Sequence, residues 1–341
     1  TEIFSSQPLL RGSLATAVVK AMKAAPKAEV IDGMTHSALP FFKVLGVSMT
    51  VAKLLKERGD KRMGVILPPG AGGVIATLSC LLAGATPVLI NYASSKAAFE
   101  STVRQAGLKT FITARKFMQK LPQFPWPPEE QLILVEDLLK KTPKLSLITN
   151  VMTAKMAPAS LICKMFDTDA RKGKDEAVML FTSGSSGEPK GVVLSHRNLA
   201  SNVITCYHSC KRTEKDRWLS VLPMAHTLEM TLSMLYPMYC GATVYYLPKP
   251  PVASLLMKAL KMVKPTTMLT VPLIIEKVYK GSVLPTIKKS RTLTWMNEHM
   301  NGLMCRIIGM KLKSTFGGHV TFYGIGGAKL DPEVESFLLK A

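Results

Sequence analysis

An apolar run that breaks into hydroxyls and glycines and then resumes constrains this chain more than any other stretch. It reads Val178-Met179-Leu180-Phe181-Thr182-Ser183-Gly184-Ser185-Ser186-Gly187-Glu188-Pro189-Lys190-Gly191-Val192-Val193-Leu194-Ser195-His196. Small residues let backbone N–H groups converge on an anion, the hydroxyls add rotatable donors, and Lys190 adds a point charge. Glycine permits the dihedrals such a nest requires. The stretch reads as strand, polyphosphate-holding loop, strand. It is not a Walker A loop, because no Gly-Lys-Ser/Thr is present, nor a nucleophile elbow, because the G-x-S-x-G spacing is missing. A flexible Ser/Gly linker has similar composition, but linkers are seldom flanked by buried-type strands on both sides.

The chain before this loop alternates between two periods. Residues 1–42 read as a helical lead-in, with Leu9, Leu14, Ala17, Val18 and Met22 near helical spacing. Residues 44–58 read as an amphipathic helix. Strands are expected at 62–67, 87–91, 110–113 and 131–135, with helices at 74–82 and 96–106 between them. Continuous apolar strands alternating with helices predict an α/β fold with a mostly parallel sheet covered on both faces. In such sheets ligands collect beyond the carboxyl ends of the strands, where the phosphate loop also sits. The uncharged stretch from Met63 to Ser95 is divided by Pro68, Pro69, Gly70, Gly84 and Pro87 into pieces too short to cross a bilayer. It reads as a buried β-α-β unit.

Lys and Arg number 44 against 23 Asp and Glu, a net charge of +21. That excess implies acidic company: nucleotide phosphates, an acidic carrier protein or an anionic membrane. The basic residues are spread along the chain and no RNA- or DNA-binding motif accompanies them, so nucleic acid ranks low. The six cysteines show no C-x-x-C pair or zinc spacing and read as reduced thiols, which points to a cytoplasmic protein. Cys206 and Cys210 flank His208, but packing on one helix face explains them better than a metal. Residues 145–166 are rich in Leu, Ile and Met and are interrupted at Pro158. They suit the domain's own surface, a partner protein, or peripheral contact with the inner face of a cell membrane.

Thr182-Ser183-Gly184-Ser185-Ser186-Gly187-Glu188-Pro189-Lys190-Gly191 resembles the signature of the adenylate-forming acyl-CoA and acyl-carrier-protein synthetases. The resemblance implies a layered αβαβα large domain and ATP with its magnesium as cofactors, no metal being held by the protein alone. Gly64-Val65-Ile66-Leu67-Pro68-Pro69, Ile90-Asn91-Tyr92 and Phe111 to Phe117 are similar to one branch. That branch is the acyl-[acyl-carrier-protein] synthetase part of bifunctional 2-acylglycerophosphoethanolamine acyltransferases.

Carried over residue by residue, the resemblance assigns Thr182, Ser183, Gly184, Ser185, Ser186, Gly187 and Lys190 to phosphate. Leu222-Pro223-Met224-Ala225-His226 resembles the family's Leu-Pro-x-x-His motif, which places His226 beside the carboxylate to be activated. A neutral imidazole can donate to that carboxylate without adding a charge; alone, His226 would read as a packed histidine. Glu229 is matched in many long-chain members, and an exposed helix carboxylate accounts for it equally well. Met230 and Met234, on the apolar stretch 230–239, suit the wall of an acyl tunnel or ordinary core. Gly326-Gly327-Ala328 resembles the motif that passes backbone along adenine, where glycine permits close approach.

The implied reaction joins a fatty acid to ATP as acyl-adenylate, then transfers the acyl group to a thiol. The preferred acceptor is an acyl-carrier protein; CoA, or a non-catalytic nucleotide- or lipid-binding module, is the alternative. Residues 1–341 are expected to form the large AMP-binding domain, incomplete at its carboxyl end and inactive alone. The expected subdomains are 43–205 and 206–341, with 1–42 packed on the second. The family's Tyr-Gly-x-Thr-Glu motif and small carboxy-terminal domain are absent from these residues.

Overall fold

Two six-stranded sheets organise the computed structural model, which describes residues 8–32, 37–182, 188–247 and 252–341. Strands β1 (Glu29–Asp32) and β2 (Ala38–Pro40) come first. They are followed by β3 (Arg62–Val65), β4 (Thr86–Leu89), β5 (Phe111–Thr113), β6 (Leu132–Leu134), β7 (Glu176–Thr182) and β8 (Lys190–Ser195). The last four are β9 (Arg217–Ser220), β10 (Thr243–Tyr246), β11 (Thr267–Thr270) and β12 (Phe322–Ile325). One sheet has the order β12-β11-β9-β10-β1-β2 and the other β6-β5-β3-β4-β7-β8. Each is parallel except for one antiparallel edge strand, β2 or β8.

Helices separate and cover the sheets; the mostly parallel pairing is what the alternation predicts, and the layering of two sheets is what the resemblance implied. Because side chains on a strand alternate faces, each sheet feeds two cores. Trp218 of β9 and Val178 of β7 point into the shared core between the sheets. Their neighbours Leu219 and Met179 point outward, into separate clusters under the outer helices. The Phe41–Arg58 and Ala71–Ala83 helices fill the space between the sheets. The Met63–Ser95 stretch is indeed β3, helix and β4, and among the described residues no helix is long and apolar enough to cross a membrane.

The amino-terminal lead-in departs from its expected helix. Among its described residues before Phe41, Leu14–Ala24 is the α-helix, capped by the Ser13 side chain, and 29–32 and 38–40 are strands. Val30 lies opposite Val244 on β10, so distant pairing rather than local periodicity decides this segment. The 145–166 stretch forms two helices, Lys144–Met156 and Ala159–Met165, divided at Pro158 as its missing N–H requires. All six cysteines are free thiols. Cys206 lies within the His196–Ser209 helix and Cys210 follows at its end, its Sγ donating to the Cys206 carbonyl. Among the described residues no His, Cys, Asp and Glu cluster suits a metal.

Candidate active site

Strand order creates a switch point in each sheet. From β9 the chain runs to β10 on one side, whereas from β11 it runs to β12 on the other. Likewise β3 leads to β4 and β5 leads the opposite way to β6. Such divergence opens a crevice at the carboxyl ends of the strands. The crevice here is a cavity of about 640 Å³. Val221, Leu222 and Pro223 line it after β9, and Val271 after β11. Pro69 and Tyr92 reach it from the ends of β3 and β4 in the second sheet. Leu256, Ile274, Val278 and Val283 make most of the remaining wall apolar, with Ser282, Thr286 and Thr315 as polar groups and Lys277 and Lys311 as charged ones.

The turn carrying His226 leaves this wall. The His226 N–H donates to the Pro223 carbonyl at 3.0 Å, and its own carbonyl accepts from the Met230 N–H at 3.0 Å. The imidazole is exposed at the amino-terminal edge of the short Thr227–Glu229 helix. Met224 plugs the turn against the Ala71–Ala83 helix; a Cβ on Gly73 would lie 2.9 Å from its Sδ and 3.0 Å from the Pro68 carbonyl. Gly73 therefore lets the two layers meet beneath the turn.

Gly326 joins the same neighbourhood. Its N–H donates to the Thr270 carbonyl at 3.1 Å, and a Cβ there would lie 3.6 Å from Leu228. Gly327 has φ 92°, a left-handed conformation that side chains disfavour, and stands over Val271. Ala328 is exposed beside it. Thus the His226 turn, the end of β11 and Gly326-Gly327-Ala328 come together from separate parts of the sequence.

Thr182 and Lys190 occupy the other sheet, directly opposite one another across the β7–β8 pair. Ser183, Gly184, Ser185, Ser186 and Gly187, expected to hold phosphate, lie outside the described residues. The loop's far flank has anchors not apparent in the sequence. Ser101 Oγ donates to Glu188 Oε1 at 2.7 Å, and Gln105 Nε2 donates to the Pro189 carbonyl at 2.7 Å. Both come from one face of the Lys96–Ala106 helix, four residues apart.

Burial decides two readings that the sequence left open. Met230 and Met234 are fully buried in the core shared by the sheets, and neither lines the cavity. Glu229 is also buried, at 1% exposure, rather than displayed on a surface. Burial pushes its carboxyl up to about 7, opposed first by the Ser220 hydrogen bond and then by Ser233 and the Leu222 backbone. Oε1 accepts from Ser220 Oγ, whereas Oε2 has no partner in hydrogen-bond geometry among the described residues. A π-helical turn, Met230–Leu235, follows immediately and brings the Ser233 carbonyl to Tyr246 Oη at 3.1 Å. The spacing of Ser220, Glu229 and Ser233 carried no sign of this cluster, because the strand and the turn meet only in three dimensions.

Comparisons with known proteins agree with the layout. The AMP-binding enzyme family profile matches residues 20–341. Long chain acyl-CoA synthetase 6, peroxisomal, of Arabidopsis thaliana is 32% identical over 182 residues, 49% of this chain and 25% of that protein. Long-chain-fatty-acid–CoA ligase 1 of Schizosaccharomyces pombe is 24% identical over 87% of this chain and 47% of its own length. The chain thus spans about a quarter to a half of the relatives it matches. The Klebsiella oxytoca NpsA N-terminal subdomain, solved with 3-hydroxybenzoyl-AMSN, superposes with TM-score 0.71 at 13% identity, covering 98% of this chain and 72% of that one. The N-terminal domain of FACL13 from Mycobacterium tuberculosis gives 0.66 at 16% identity, covering 96% and 73%. These two likenesses are of fold. With the profile spanning nearly the whole sequence, the chain belongs to the AMP-binding enzyme family.

Proposed function

We propose that the protein activates a long-chain fatty acid as its adenylate and passes the acyl group to a thiol. The observation that carries this reading is the apolar cavity at both switch points, walled by Leu222 and Pro223 of the His226 turn. Its volume lies within the range of small-ligand sites, and its mostly apolar wall suits an alkyl chain. Support for a nucleotide beside it comes from Gly326 and Gly327, which carry no side chain of their own between the backbone and a ligand, and from the Thr182–Lys190 pair at the mouth of the loop.

In this reading Thr182, Lys190 and the loop between them hold phosphate, and Gly326, Gly327 and Ala328 flank the base. Magnesium carried with the nucleotide would share the phosphate charge. Lys190 supplies a fixed cation where negative charge develops, and His226 donates to the fatty carboxylate and orients it. The cavity excludes water from the chain.

The acceptor has two supported readings. The net charge of +21 favours an acidic carrier protein, as in the acyl-carrier-protein branch. The relatives' names favour CoA. Full-length protein incubated with Mg·ATP, labelled long-chain fatty acid and either holo-carrier protein or CoA separates them. Label on the carrier supports the first acceptor and label on CoA the second. No adenylate and no labelled thiol would overturn the ligase reading and leave a nucleotide- or lipid-binding module.

A further inference from the structure

The Lys144–Met156 helix turns one face inward. Asn150 and Ala154 are buried against the Phe41–Arg58 helix; Asn150 Nδ2 donates to Thr50 Oγ1 at 3.0 Å, and Lys53 Nζ donates to Asn150 Oδ1 at 2.9 Å. The opposite face is apolar and uncovered: Leu145 is 75% exposed, Ile148 58%, Met152 45% and Met156 75%. Steps of three and four place these four on one line about 16 Å long at 1.5 Å per residue. Leu161 and Met165, exposed on the Ala159–Met165 helix, extend the apolar surface.

Charge within the segment itself has one sign, with the carboxylates Glu57, Glu129 and Asp137 lining a cavity beside the start of the helix. Lys140, Lys141, Lys144, Lys155 and Lys164 are all exposed, and no Asp or Glu occurs between 138 and 166. We infer that this face rests on an anionic lipid surface, with the Leu145-Ile148-Met152-Met156 line at the acyl boundary and the lysines at headgroup phosphates. Protein interfaces concentrate Trp, Tyr and Arg and are depleted in Lys. Methionine, which such interfaces also favour, is present here as Met152, Met156 and Met165, but lysine is frequent and no Trp, Tyr or Arg occurs between 138 and 166. Apolar residues bordered by lysine are the chemistry of interfacial helices, and each lysine near such a surface adds attraction. The inference stands on this face alone and does not depend on the ligase reading.

Vesicle flotation tests it with the whole 341-residue chain. The chain is expected to float with phosphatidylcholine–phosphatidylglycerol vesicles, less so in high salt, and poorly with phosphatidylcholine alone. Because the chain is strongly basic, the decisive variant conserves charge. Ile148→Ser with Met152→Ser is expected to lower partitioning about tenfold, through lost apolar burial. Lys144→Gln is expected to lower it about fivefold at low salt. Circular dichroism melts check folding, and Leu145→Ser with Met156→Ser at the most exposed positions serves if the first pair unfolds. No flotation with anionic vesicles overturns the inference. So does unchanged partitioning of a folded serine variant, which would reduce binding to net charge, or a lipid-indifferent dimer that the serine variant converts to monomer.

Discussion

Glu229 illustrates what one residue's surroundings do to its chemistry. One of its two sequence readings was a helix carboxylate facing water, yet it lies under β9 with Ser220 as its hydrogen-bond partner among the described residues. An unfolded glutamate ionises near 4.5 and this one near 7. Between those values the unfolded chain loses its proton while the native chain keeps it, so stability falls as pH rises from about 4.5 through about 7. Glu229→Gln keeps an acceptor for Ser220 and is expected to flatten that decline. A gain of about 1–3 kcal/mol at pH 8, with little change near pH 5, should appear in denaturant melts. Lys190 is the contrasting residue. It is exposed at the start of β8, so Lys190→Ala should leave the melting curve unchanged. Under the proposed function, adenylation by full-length protein, followed as pyrophosphate exchange, should fall about 10²–10³-fold. The sequence displayed Lys190 because its neighbours form a contiguous motif. It concealed Glu229's burial because the partners come from separate elements.

At the scale of elements, close approaches decide which helices pack. A Cβ on Gly46 would meet the Val151 Cα at 2.5 Å, so the Phe41–Arg58 and Lys144–Met156 helices touch backbone to backbone. Gly46→Ala must push them apart, and a loss of about 1–3 kcal/mol is expected in urea unfolding. Separation of these helices would also disturb the Asn150–Thr50 hydrogen bond. The amino-terminal helix has a different tether: the Leu14 N–H donates to His196 Nδ1 at 3.0 Å, which requires that nitrogen to be unprotonated. Burial, then the nearby Arg171 charge, lowers the His196 imidazole to about 4, with Asp175 opposing. Its stabilising effect is complete above about 6.5 and is lost as pH falls through about 4. Faster amide exchange across Leu14–Ala24 at pH 4 than at pH 7, after correction for intrinsic rates, would mark the loosened tether. Periodicity made both helices legible, but neither contact follows from it. Their partners lie about a hundred or more positions away.

The whole molecule adds the cavity, which belongs to no single element. Its walls come from the ends of β3, β4, β9 and β11 and from the helices between Leu256 and Leu312. Ile274 is half-buried in that wall. Ile274→Trp should shorten the accessible space and raise KM for long fatty acids about tenfold or more in full-length protein, while shorter acids are affected less. Activity profiles across chain lengths would check this; a uniform loss would place the alkyl chain elsewhere. By itself the sequence determined the alternating α/β class, the strand positions from β3 to β8, the phosphate-loop signature and the His226 and Gly326-Gly327 motifs. These are local patterns of period, glycine and charge, and they survive in one dimension. Only the tertiary structure decided that 29–32 and 38–40 are strands and that Met230 and Met234 fill core. It likewise buried Glu229 and left the 145–156 line uncovered. Burial, strand pairing and the meeting of two switch points depend on which distant residues the fold brings to each position, and no local pattern carries that information.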